Sequence, residues 1–223
     1  MKTSTIVVKV GGAVAADAAE LVLALAGAHR VCVVHGAGPQ ITAELERAGI
    51  ESRFVGGRRI TSAAALELVR SSLAAVNAAV CSAIGPRAVP LFGDEIGLAA
   101  TPVPALGFVG DPSPSCPRAV EEALAAGLVP VVTPLAAGPL NVNADEAAAA
   151  LAVGLGAERL LFVTDVPGVL LAGAVATTID VAEAERLLDA GELGGGIVPK
   201  LRAAVRATRE GVDATIGATA VLA

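Results

Sequence analysis

The sequence has 223 residues, a length that suits one α/β domain or two small ones and favours a single core. With 54% hydrophobic and 17% charged residues and a mean hydropathy of +0.70, the chain buries too much apolar surface to be disordered. A net charge of −6 with no Lys/Arg run argues against nucleic acid, and no stretch approaches the ~20 uninterrupted apolar residues of a membrane span. The first residues carry no secretory pattern, so a cytoplasmic protein with no membrane partner is expected. Cys32, Cys81 and Cys116 are odd in number, widely spaced and lack a CxxC pattern, and read as reduced, packed thiols.

In chain order, continuous β-branched or leucine runs of strand length occur at residues 6–10, 31–35, 89–91, 129–133 and 160–164. Helical patterns lie between and after them, at residues 15–26, 40–48, 62–83, 117–126, 144–154, 181–190 and 199–210. Strand and helix in alternation predict a three-layer αβα sandwich around a mainly parallel open sheet. Residues 98–109, with Pro102 and Pro104 inside, read as a hairpin or lid-type excursion. Gly and Pro clusters fall at strand ends, where α/β folds bind ligands.

The loops carry the chemistry. Lys9 sits inside the first strand, with Gly11 and Gly12 just past its end; a lysine is rarely placed in a buried strand without a task. The second strand ends in His35-Gly36-Ala37-Gly38-Pro39, whose glycines permit close backbone approach and whose proline suits a first helical turn, an arrangement that can hold an anion. Neither GxxxxGK[ST] nor GxGxxG is present there. His35 reads as a hydrogen-bonded structural histidine and His29 as a surface one. Arg58 and Arg59 lie between a short strand and a long helix, with Thr61 or Ser62 as its N-cap. One of these arginines has the fork geometry to grip a carboxylate, although solvated loop arginines are the plainer reading of the segment alone.

Asn141, Asn143 and Asp145 alternate before an alanine-rich helix and aim several polar groups at one place, whereas capping needs only one. Thr164-Asp165-Val166-Pro167-Gly168 is a Pro-Gly turn with an acid at its mouth. Three glycines, 194 to 196, then lead into a helix with Lys200 in its first turn, where a cation opposes the helix dipole; an anion held there explains it better.

In this order, Lys9-Val10-Gly11-Gly12, the His-Gly-x-Gly-Pro loop, Arg-Ile-Thr, Asn-Val-Asn-Ala-Asp, Thr-Asp-Val-Pro-Gly-Val and the glycine loop ending in Lys200 resemble the amino-acid kinase family, over residues 6–216. The resemblance implies an αβα kinase. Its N-terminal half (about 1–140) would bind an acyl amino acid and its C-terminal half (about 141–223) ATP. The γ-phosphoryl group would pass to the side-chain carboxylate of N-acetyl-L-glutamate, a step of arginine biosynthesis. It further implies that Lys9 and Lys200 flank the phosphoryl group, with Asp145 holding both. Gly11, Gly12 and the loop of Gly36, Ala37 and Gly38 would offer amides, with Ala37 standing where the family's loop has glycine. Arg59 would pair with the substrate α-carboxylate, and Asn141 and Asn143 with the acetamido group. Asp165, Val166, Pro167, Gly168, Val169 and Leu170, with Glu192, Leu193 and Gly194, would line ATP, and Mg²⁺ would be held mainly by phosphate oxygens. The chemistry agrees: a carboxylate is already ionised at neutral pH and needs no general base, only neutralisation of charge.

Two other readings stay open: a kinase for a carrier-protein-linked aminoadipate or glutamate, which would need a basic rim not seen in this acidic chain, and a non-catalytic sensor on the same fold. Arginine-inhibited members of the family carry an extra N-terminal helix that links dimers into rings. Here residues 1–5 precede the first strand, too few for such a helix. The expectation is a homodimer, joined over the helix at residues 62–83, whose activity is insensitive to arginine.

Overall fold

A computed structural model describes residues 4–11 and 18–223. In chain order the elements begin β1 (Thr5–Val10), α1 (Ala18–Leu25), β2 (Arg30–His35), α2 (Gly38–Arg47), β3 (Phe54–Val55), β4 (Arg58–Arg59), α3 (Ala63–Ile84), β5 (Ala88–Phe92), β6 (Ala100–Pro102) and β7 (Val109–Pro112). They continue with α4 (Arg118–Ala125), β8 (Val129–Thr133), β9 (Leu135–Ala136), β10 (Leu140–Val142), α5 (Ala144–Gly154), β11 (Arg159–Val163), β12 (Leu170–Leu171) and β13 (Ala174–Val175). Last come β14 (Thr178–Asp180), α6 (Val181–Asp189), α7 (Ile197–Arg209), β15 (Asp213–Ile216) and β16 (Thr219–Leu222).

The main sheet has eight strands in the order β14-β16-β15-β11-β1-β2-β8-β5, all parallel to their neighbours except the β15–β16 pair. Strands β11, β1, β2, β8 and β5, the last of them forming one edge, are the apolar runs expected from the sequence. Side chains alternate between its faces. Ile6, Val8, Val31, Val33 and Val131 pack with Val22, Ile41, Leu45, Val69 and Leu73 of α1, α2 and α3. On the other face Val7, Cys32, Val34, Leu160 and Phe162 pack with Val120, Ala148, Leu151, Ala184 and Leu201 of α4 to α7. The αβα sandwich follows from this two-sided burial.

Three strands of that sheet were not anticipated. β14, β15 and β16 extend the sheet beyond β11, and β16 lies past residue 216, where the resemblance carried by the motifs ends. They are short and carry Thr, Asp and a glycine turn, so they lack the continuous apolar signature of the central strands. Residues 98–109 do form a hairpin, β6 antiparallel to β7, which belongs with β9 and β10 to a separate four-stranded sheet. Ser62 is the α3 N-cap, its side chain accepting from the Ala65 amide at 3.2 Å. α3 is long and apolar enough by length and composition to cross a membrane, but Val69, Leu73, Val76 and Val80 are buried against the sheet, as in a core helix. Cys32 is buried and Cys81 half-buried, but Cys116 is exposed, so the expectation of packed thiols fails there; all three are free.

Candidate functional site

The site lies where β1 meets β11 on one side and β2 on the other, so that the loops leaving the three strands diverge at their carboxyl ends. Lys9 is two residues from Val7 and projects from the same face of the sheet, the one that α5 and α7 cover. Asp145 stands in the first turn of α5, where the helix dipole favours an acid. Its carboxylate meets Lys9 Nζ at 2.7 Å and Lys200 Nζ at 3.9 Å, and both Lys9 and Asp145 are buried.

Lys200 is in α7, whose N-cap Gly196 contributes no side-chain cap, and Pro199 occupies the first turn, where its missing N–H costs nothing. The ammonium donates to the Gly196 carbonyl at 3.1 Å. Burial lowers the Lys200 pKa and the nearby Lys9 charge adds to this, while Asp145 and Asp165 oppose it. A buried and a half-buried cation share one buried acid, and the surplus positive charge faces a cavity of about 290 Å³, near the lower end of the ~300–1,000 Å³ of small-molecule sites.

Gly11, Gly36, Ala37, Gly38, Arg59, Asn141, Asn143 and Asp165 line the same cavity. Gly12 lies outside the described residues. Ala37 has φ −144°, which any L-residue adopts, and its methyl packs into the core beneath α2. The family's glycine is therefore not required there.

Arg59 is buried, with its guanidinium 4.5 Å above the Phe54 ring. It donates to the Gly38 carbonyl at 3.2 Å and to Thr42 Oγ1 at 2.9 Å, and to Ser52 Oγ. No acid among the described residues pairs with it, and burial lowers its pKa. Arg58 is the opposite case: its Nε donates to both Glu146 oxygens at 3.1 and 2.9 Å and its Nη2 to Asp111 at 2.8 Å. A buried guanidinium without an acid is the one available for an incoming carboxylate.

The asparagines are more committed than their spacing suggested. Asn143 caps α5, its Oδ1 accepting from the Asp145 and Glu146 amides at 2.8 and 3.2 Å, and its Nδ2 donates to the Gly57 carbonyl at 2.9 Å. Asn141 donates to Thr61 Oγ1 at 3.0 Å. His35 is fully buried and structural: Asn77 Nδ2 stands 3.1 Å from its Nε2, and its Nδ1 3.4 Å from the Gly36 carbonyl. Burial, with Lys9 adding to it, lowers its pKa to about 4 against the weaker opposing pull of the Gly36 carbonyl, and keeps it neutral. His29 is half-buried, with Nδ1 2.7 Å from Ser4 Oγ.

On the expected nucleotide side only Asp165 reaches this cavity. Val169 is buried in the core, its amide bonded to Thr219 Oγ1 and its carbonyl to Ala176, so its polar groups are spent within the protein. The Pro167 carbonyl accepts from Ala218, and a Cβ on Gly168 would stand 2.6 Å from Thr219 Oγ1. Val166 donates its amide to Thr164 Oγ1 at 3.4 Å, while Leu170 is exposed. Glu192 pairs with Arg186 at 2.7 Å, Leu193 packs against the core, and Gly194 has open space around it. The sequence reading missed Arg58, Glu146 and Asp111 as a cluster. Arg58 lies 88 and 53 residues from its two partners, and no local pattern reports such pairs.

The amino acid kinase family matches residues 4–217. Acetylglutamate kinase from Rubrobacter xylanophilus is 43% identical over 222 residues, covering 95% of this chain and 88% of that protein. Acetylglutamate kinase from Jannaschia sp. is 40% identical over 233 residues, covering 96% and 81% respectively. The crystal structure of smu.665 from Streptococcus mutans superposes with a TM-score of 0.89 at 28% identity, covering 98% of each chain. With six motifs, the sheet order and these relatives in agreement, the chain belongs to the amino acid kinase family.

Proposed function

We propose that the chain transfers the γ-phosphoryl group of ATP to the side-chain carboxylate of N-acetyl-L-glutamate, the activity named in its curated relatives. One observation carries the reading: a buried and a half-buried lysine share a single acid, in a cavity that also holds a buried arginine with no acid. A ligand with two separated anionic ends satisfies both. Arg59 takes the α-carboxylate, and the side-chain carboxylate is directed toward Lys9 and Lys200.

In the reaction, a carboxylate oxygen attacks the γ-phosphorus as the bond to the β,γ-bridging oxygen breaks and ADP leaves with that electron pair. Negative charge spreads over the transferring oxygens, and fixed cations stabilise it without reorganisation. Lys9 and Lys200 are the cations, and Asp145 keeps two like charges close together before the ligand arrives. The Gly11 and Gly36 amides, expected from the sequence to hold phosphate, are spent on the Val163 and Val10 carbonyls at 3.1 and 2.9 Å, so the amides offered to the phosphoryl group are those of Ala37 and Gly38 at the start of α2. Asn141 and Asn143 border the acetamido group, chiefly by shaping the wall. The segments 165–170 and 192–194 run along the nucleotide, which enters from the α7 side, so that residues to about 140 serve the amino acid and the remainder ATP. Mg²⁺, if it accompanies ATP, would be held mainly by the phosphate oxygens and would neutralise part of their charge.

The exposed face of α3, with Ala64, Ser71, Ala75, Ala78 and Ala79, is smooth enough for a two-fold contact, and the proposed assembly is a homodimer. Light scattering tests this, and a monomer at micromolar concentration refutes it. The activity is tested by ADP release with N-acetylglutamate against glutamate, aspartate and N-acetyl aminoadipate. Strong preference for N-acetylglutamate is expected. No turnover, or preference for the longer acid, overturns the reading.

A further inference from the structure

The β3–β4 hairpin carries Arg59, but its tip touches the elements that carry the other half of the site. Gly56 and Gly57 turn with φ +57° and +83°. A Cβ on Gly57 would stand 3.1 Å from Pro199 Cβ, so the tip rests on the first turn of α7 beside Lys200. The Gly57 carbonyl is also held by Asn143, the cap of α5.

Successive strand residues point to opposite sides. Arg59 therefore turns toward the loop at Gly38, while Arg58 turns to Glu146 in the first turn of α5 and to Asp111 on β7. Asp111 in turn lies 3.5 Å from Arg206 of α7. Arg58 thus bridges, through one guanidinium and two acids, the hairpin to both helices that supply Asp145 and Lys200. Burial pushes the Glu146 carboxyl up, against the opposing pull of the Arg58 guanidinium and, more weakly, of Arg206.

We propose that Arg58 is a positioning residue for phosphoryl transfer: it clamps the Arg59 hairpin onto α5 and α7 and so fixes the distance between the carboxylate grip and the two lysines. This rests on the functional reading above. Arg58 borders the cavity, but its guanidinium is taken up by Glu146 and Asp111, so it acts through the hairpin. A substrate held by Arg59 on an unclamped hairpin still binds, but its reacting oxygen is no longer held in line. Misplacement of about 1 Å costs up to ~10²-fold in rate.

The test is Arg58→Met, which keeps the stem and removes the fork. Expected is a fall in kcat of about 10-fold with KM for N-acetylglutamate and for ATP each changing less than about threefold, because alignment rather than binding is lost. Arg58→Lys, which retains one charged contact, should recover part of kcat. In the ligand-free protein, amide hydrogen exchange over residues 54–59 and 197–200 should quicken in Arg58→Met while that of β1 does not. Should Arg58→Met fail to fold, Arg58→Lys and Asp111→Asn carry the test, and normal kcat and exchange in both overturn the clamp. A lowered unfolding temperature with unchanged kcat per folded molecule, or unchanged exchange in the two segments, also overturns it. Absence of turnover in the wild-type chain would refute the functional reading instead, and the exchange measurement would still decide the clamp.

Discussion

The two ends of the cavity handle charge differently. At the phosphoryl end, Lys9 and Lys200 converge on Asp145, giving two positive charges to one negative, with Lys9 and Asp145 buried and Lys200 half-buried. At the hairpin end, adjacent arginines divide the tasks: Arg58 is neutralised by two acids and Arg59 by none. The lesson is that the number of charges does not mark the ligand-binding groups. What marks them is a charge whose protein partners fall short, because burying an unbalanced ion is costly unless a ligand completes it.

The largest effect expected from breaking this comparison is at the phosphoryl end. Lys9→Ala or Lys200→Ala should lower kcat by on the order of 10² to 10³ with a smaller change in KM, since a group stabilising developing charge is lost. Steady-state kinetics on the folded variants measures it, and near-normal kcat would remove that lysine from the chemistry. Asp145→Asn should impair turnover as well, by leaving two neighbouring ammonium groups with no organising anion.

At the hairpin end the loss should appear in affinity. An ammonium cannot reproduce the two-pronged contact of a guanidinium with a carboxylate, and a charge-assisted hydrogen bond contributes about 1.5 to 3 kcal/mol. Arg59→Lys should therefore raise KM for N-acetylglutamate roughly 10- to 100-fold and leave KM for ATP nearly unchanged. A rise in KM for Arg58→Lys instead would exchange the roles assigned to the two arginines.

How far the sequence discloses this follows from the distance between the parts. Lys9, Asp145 and Lys200 are each conspicuous locally: a lysine in an apolar strand, an acid behind alternating asparagines, a cation at the wrong end of a helix. Arg59 is distinguished from Arg58 only by what surrounds each in space, and Asn143 turns out to be occupied as a helix cap. The central strands announce themselves by unbroken Val and Leu, whereas β15 and β16 mix Asp and Thr with small residues and owe their place to pairing with β11 and with each other. Val169 looked like a loop residue because proline and glycine precede it, yet it is buried against the β15–β16 turn.

A smaller effect sharpens the electrostatics of the phosphoryl end. Lys200 has its pKa lowered by burial, so the cation is lost as pH rises through a value below the ordinary lysine range. The alkaline limb of kcat/KM should begin correspondingly early, and in Lys200→Arg the limb of the remaining activity should move to higher pH. An identical limb in both proteins would assign it to another group.

The smallest effect on turnover is expected from His35, one residue from the glycine loop but on the opposite face of the sheet from Lys9. Its folded pKa is about 4 against an ordinary 6.5. Between these values the unfolded chain takes up a proton that the folded protein refuses. The stability contributed by the neutral ring is fully present above pH ~6.5, falls as pH drops toward ~4, and amounts to at most about 3 kcal/mol. His35→Gln retains an acceptor for the Asn77 amide at the place of Nε2 but does not titrate. Its kcat at pH 8 should be close to wild type. Denaturant unfolding at pH 7, 6, 5 and 4 should show wild-type stability falling more steeply than that of the variant, since the carboxylates titrate equally in both. Parallel curves would mean that the buried ring accepts its proton without cost, and a collapse of kcat in His35→Gln would place the ring in the chemistry after all.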